Sequence, residues 1–61
     1  LPDEIELDNG YIHTLRIWKE DSEWIVAYED CYGNYYTQIR GNTEAEARGK
    51  MWCYLREKKL I

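Results

Sequence analysis

Phenylalanine is absent from this 61-residue chain, and proline and histidine occur once each. The large side chains are therefore three Trp and six Tyr. Both types carry a polar tip, so many are expected at rims and contact surfaces, half in water. Cysteine is scarce too, with only Cys31 and Cys53. Small secreted scaffolds usually carry four or more, so a reduced, cytoplasmic protein is expected; a single Cys31–Cys53 bridge is the alternative. No stretch approaches the ~18 apolar residues of a membrane span, and no signal-peptide pattern is present. There is no glycine-rich phosphate loop, no repeat and no low-complexity segment. Positive charge is in the minority: twelve acidic against eight basic residues give a net charge of −4. That balance argues against broad attraction to phosphate backbones or anionic lipid.

The length allows one domain. A chain of about 60 residues buries only about 60% of the surface its unfolded form exposes, so stability is marginal and association with a partner would help. A chain beginning at Leu1 rather than Met leaves room for a larger parent protein.

Asn9-Gly10 is the strongest hairpin signal, since a type I′ turn needs positive φ at both central residues. It would join a short run, Ile5–Asp8, to a long alternating one, Tyr11–Lys19. Asp21-Ser22 then turns the chain into Trp24–Glu29, and a two-residue turn there sets Ile17 opposite Val26 and Leu15 opposite Tyr28. Asp30–Asn34 is a second turn, with Gly33 and Asn34 most tolerant of positive φ. A further strand follows at Tyr35–Arg40, with Tyr35, Thr37 and Ile39 on one side. Gly41-Asn42 ends the sheet. Thr43-Glu44-Ala45-Glu46 reads as a capping box in which Glu46 reaches back to Thr43. The helix it opens should run to about Lys58, with Ala47, Met51, Tyr54 and Leu55 as its apolar stripe and Trp52 on the flank. Gly49 lies inside it and predicts close approach to a strand, because glycine costs up to ~1 kcal/mol there.

The fold expected is α+β: an antiparallel meander of three or four strands with one C-terminal helix across a face. The helix should cover Leu15, Ile17, Trp24, Val26, Tyr28 and Ile39. The other face would carry Ile12, Arg16, Trp18, Ile25, Ala27, Tyr36, Gln38 and Arg40, joined by Ile5 and Leu7 if the first strand pairs. Such a face is too apolar for water alone.

Chemistry is harder to find. His13, Cys31 and Cys53 could in principle form a Cys–His pair or three zinc ligands, but none has the spacing that pins a site. The acidic pairs, such as Glu29/Asp30, fall at turns, where solvated carboxylates are ordinary. No catalysis, metal or cofactor is expected. Trp18, Tyr36, Arg16 and Arg40 are residue types that stack on bases and touch phosphates. They are also the types that dominate protein interfaces. The plainest alternative is that Trp18 and Tyr36 merely cover the first hairpin.

The stretch Trp24–Leu55 resembles the arm-site DNA-binding domain of phage-type tyrosine integrases, a three-stranded sheet plus helix. The likeness rests on Trp24, Val26 and Tyr28 in a strand, the D-x-x-G turn Asp30-Cys31-Tyr32-Gly33, and Thr43–Ala47 opening a helix. It implies a sheet that enters the DNA major groove. The strand after that turn is rich in Lys and Arg in the family, whereas Tyr35–Arg40 holds one basic residue. Trp24–Tyr28 and Thr43–Ala47 are also similar to the HicB-type antitoxin fold, which implies binding of a partner protein. Both resemblances point to phage or mobile-element proteins.

The leading expectation is a non-enzymatic domain that contacts protein, a partner or its own copy, through Arg16, Trp18, Ile25, Tyr36, Gln38 and Arg40. The alternative is a nucleic-acid-binding module using the same face with Lys19 added, and a third is a structural domain cut from a larger protein. No membrane contact is expected.

Overall fold

The structure is a computed structural model that describes all 61 residues. Four strands run in chain order across one antiparallel sheet: β1 (Glu4–Glu6), β2 (Ile12–Glu20), β3 (Glu23–Glu29) and β4 (Tyr35–Gly41). One helix, α1 (Glu44–Glu57), follows. No helix is long and apolar enough to cross a membrane.

The β2–β3 register is the one the apolar pattern demands, with Leu15 opposite Tyr28 and Ile17 opposite Val26. Asp21, the first residue of the two-residue turn, takes φ +56. Asp tolerates that region better than most side chains. The β1–β2 connection differs from a type I′ turn. Gly10 alone has positive φ, its N–H donates to the Leu7 carbonyl at 2.8 Å, and the Leu7 N–H donates to the Tyr11 carbonyl at 3.2 Å. This is a three-residue loop closed by a left-handed glycine, and the Asn9 side chain adds a bond from the Tyr11 amide at 2.9 Å.

The loop also decides where β1 points. Ile5 pairs with His13, so Ile5 faces the helix and enters the core; Leu7 packs against the same cluster. The expectation that Ile5 and Leu7 join the open face is thus overturned, because three loop residues rather than two shift β1 by one position and exchange its faces. His13 is buried beside Ile5, its Nδ1 3.4 Å from the Tyr11 carbonyl.

The core is Val26 and Tyr28 from the central strand, Ile5 from the edge, and Ala47, Met51 and Leu55 from one stripe of α1. Leu15, Ile17, Trp24, Ile39 and Tyr54 pack around it. Tyr28 reaches through this layer to donate from its hydroxyl to the Pro2 carbonyl at 2.8 Å, pinning the leading arm. Burial raises the Tyr28 pKa, and the charge of Asp3 adds to the shift.

Thr43 caps α1 by accepting from the Glu46 amide at 3.1 Å, as the sequence pattern predicts. Glu46 reaches back one residue further than expected, to the Asn42 amide at 3.3 Å. At the other end Lys59 takes φ +59, its amide bonds the Arg56 carbonyl, and the Leu60 amide bonds the Leu55 carbonyl. That is a Schellman cap with lysine where glycine is usual, and Leu60 supplies its apolar contact with the core. The close-approach glycine is Gly41, not Gly49. A Cβ on Gly41 would lie 2.6 Å from the Ala47 nitrogen, whereas one on Gly49 meets nothing within 4 Å.

Candidate contact surface on the open sheet face

Side chains alternate along each strand, so the face turned away from α1 follows from the core residues. It carries Glu4 and Glu6 from β1, and Ile12, Thr14, Arg16, Trp18 and Glu20 from β2. From β3 come Glu23, Ile25, Ala27 and Glu29, and from β4 Tyr35, Gln38 and Arg40. Lys19 stands opposite Trp24, on the helix side, and so does not belong to this face.

Tyr36 does not belong to it either. Two constraints on the β3–β4 hairpin disagree by one residue. Asp30 closes the loop tightly: its N–H donates to the Asn34 carbonyl at 2.9 Å, and its Oδ1 accepts from the Tyr32 and Asn34 amides. That closure sets Glu29 opposite Tyr35. Further along, burial of both side chains sets Val26 opposite Ile39 and Tyr28 opposite Thr37. The extra residue is Tyr36, which bulges out between Tyr35 and Thr37. Its ring turns to the helix side, edge-on to His13 and Tyr54, and its hydroxyl accepts from that of Tyr54 at 3.5 Å. The neighbouring Tyr54 hydroxyl, together with burial, raises the Tyr36 pKa. Tyr35 takes its place on the open face. The amides of Asn34 and Tyr32 hold the Asp30 carboxyl below its ordinary range.

Tyr35 and Trp18 come from strands on either side of β3, yet their ring centroids are 5.8 Å apart. They therefore meet above the central strand, and beneath them Ile25 and Ala27 have no exposed surface. Ile25 cannot touch a partner directly. It is the floor of a small second core, and small Ala27 leaves the room for the rings to close over it. Arg16 pairs with Glu29 at 3.1 Å and Arg40 with Glu23 at 3.5 Å, both diagonally across this face. The Trp18 indole N–H donates to Glu20 at 3.2 Å.

Of the six residues singled out in the sequence, Arg16, Trp18, Gln38 and Arg40 share the open face, Ile25 lies under it, and Tyr36 is behind it. What the face offers a partner is different in detail. Ile12 is 53% exposed and Tyr35 44%. At the adjoining end of the sheet Tyr11 and Tyr32 meet edge to face at 5.8 Å, with Tyr32 70% exposed. Tyr11, Tyr32 and Tyr35 escape a strand-alternation reading because two lie in loops and the third is displaced by the bulge. The signal was the tight D-x-x-G closure set against the Val26–Ile39 match.

A concavity of about 670 Å³ runs between β4 and α1 over Ile39, Gly49, Cys53 and Tyr54. Lys50 crosses it, pairing with Glu46 at 3.1 Å and donating to the Arg40 carbonyl at 3.2 Å. A lysine laid on an edge carbonyl in this way blunts an open strand edge. Cys31 and Cys53 are free and exposed, and no group of three or more His, Cys, Asp or Glu side chains converges as metal ligands would. Compared with protein-family models, curated proteins and solved structures, the chain finds no match in any of the three.

Proposed function

We propose that the chain is a non-enzymatic binding domain that contacts protein through its open sheet face. The observation that carries this reading is the run of exposed apolar and aromatic side chains, Ile12 and Tyr35 with Tyr11 and Tyr32 beside them, outside a core that is already complete. Exposed aromatics set on a rigid sheet bring contact area at little cost in side-chain entropy. Trp18 and Tyr35 are held against each other, so they are ordered before any partner arrives. The molecule measures 34 × 24 × 14 Å, and its thin dimension is that of one sheet with one helix. The broad face is of the size that one partner contributes to a standard interface, about 800 Å².

The nucleic-acid alternative gains nothing from the geometry. Arg16 and Arg40 are committed to Glu29 and Glu23, Tyr36 faces the helix and Lys19 lies behind the sheet. Phosphate contacts supply much of the affinity in such complexes.

A random peptide library displayed on phage and selected on the immobilised chain tests the reading. Selected peptides should lose affinity by about tenfold or more on the Ile12→Ala/Tyr35→Ala double variant, as centrally placed interface residues do. Peptides that bind that variant as well as the parent chain would contradict it.

A further inference from the structure

We infer that the occupant of the open face is a cationic protein segment, rich in Arg or Lys, an inference that rests on the contact-surface reading above. The face carries five carboxylates, Glu4, Glu6, Glu20, Glu23 and Glu29, against two guanidinium groups. Both guanidiniums are already paired, with Glu23 and Glu29. Glu4, Glu6 and Glu20 make no salt bridge and stand exposed around the aromatic strip. The face is therefore an apolar and aromatic surface rimmed by unpaired negative charge. An arginine or lysine laid across it gains twice: its stem covers Ile12, and its head group meets a carboxylate or the face of the Tyr35 or Trp18 ring. The chain already uses such stacking on its helix, where the Arg56 guanidinium lies 4.9 Å from the Trp52 ring centre and the Lys58 ammonium 5.7 Å from that of Tyr54.

Charge also excludes the other occupants. Nucleic acid and anionic lipid would meet like charge. Two copies placed open face to open face would oppose carboxylates to carboxylates. Of the chain's own side-chain cations that make no salt bridge, Arg56, Lys58 and Lys59 sit at the far end of α1, and Lys19 stands alone on the helix side of β2. A copy docking through them would make a head-to-tail contact between two unlike patches, which closes only if the rotation happens to form a ring. A separate basic partner satisfies the face without that condition, and complementary charge would speed its arrival.

The test is fluorescence anisotropy of labelled nona-arginine with the full chain, with labelled nona-glutamate as the control of opposite sign. Nona-arginine should bind and nona-glutamate should not. The Kd should rise about tenfold in Glu4→Gln/Glu6→Gln and again in Tyr35→Ala. The double variant Glu44→Gln/Glu57→Gln removes the same charge from α1, on the other side of the sheet, and should change Kd by less than about twofold, since exposed charges beyond a Debye length are screened. Equal weakening in the two double variants, or no binding of nona-arginine, would overturn the inference. If nona-arginine fails while library-selected peptides still require Ile12 and Tyr35, the cationic partner falls and the contact surface stands. If no selected peptide requires them, both fall.

Discussion

A Cβ at Gly41 would be driven into the Ala47 backbone at 2.6 Å, whereas one at Gly49 would stand in open space. The two substitutions should therefore move stability in opposite directions. Gly41→Ala forces the end of β4 away from the first turn of α1 and should cost about 1–3 kcal/mol, the range for overpacking. Gly49→Ala should stabilise by about 0.5–1 kcal/mol, since it removes only backbone freedom from the unfolded chain. Urea unfolding of both variants decides this, and a Gly49→Ala loss would show that the groove beside it is tighter than it looks. The position of Gly49 inside the helix predicted the close approach there; Gly41 makes it instead, because the contact depends on the angle at which β4 delivers the chain to α1. Asp30 makes a separate statement about pH. Its carboxyl is held low by the Asn34 and Tyr32 amides, so its folded pKa lies below the ordinary value of about 4. The contribution to stability is complete above that value and is lost as pH falls through the folded one. Asp30→Asn should accordingly flatten the acid limb of a stability-versus-pH curve measured by thermal unfolding, leaving the limb above pH 6 parallel to that of the parent.

Among the elements, α1 and the β2–β3 hairpin were the most legible. Both are local: a Thr cap with Glu46 three residues on, and a two-residue turn whose register matches apolar pairs on both sides. β1 and β4 were less so, because each has its face set by loop geometry. One loop residue more than expected turned Ile5 inward, and one bulged residue exchanged Tyr35 with Tyr36. These are single-residue slips, yet in a period-two structure each inverts a whole set of side chains. Two changes at the helix ends follow from its caps. Thr43→Ala removes the oxygen that accepts from the Glu46 amide and should cost about 1 kcal/mol. Lys59→Gly relieves the left-handed strain at φ +59 and should recover up to about 1 kcal/mol. Both are read from denaturation midpoints, and a neutral Lys59→Gly would mean that the Leu60 contact alone holds the cap.

For the whole molecule, the sequence pointed to a sheet face too apolar to stand free, and the structure divides that face in two. Ile25 and Ala27 are sealed by the chain itself, while Ile12, Tyr35 and their neighbours remain in water. The sealing was invisible to alternation, which places residues on a face but not the reach of two rings across the strand between them. The remaining exposed strip and the groove between β4 and α1 are two surfaces on which a partner could sit. A ¹H–¹⁵N amide map of the chain titrated with its tightest library-selected peptide separates them. The expected shifts fall on Ile12–Trp18, Tyr35 and Gln38, with Gly49 and Cys53 unmoved. Shifts concentrated on Gly49, Lys50 and Cys53 would place the partner in the groove and contradict the open-face assignment.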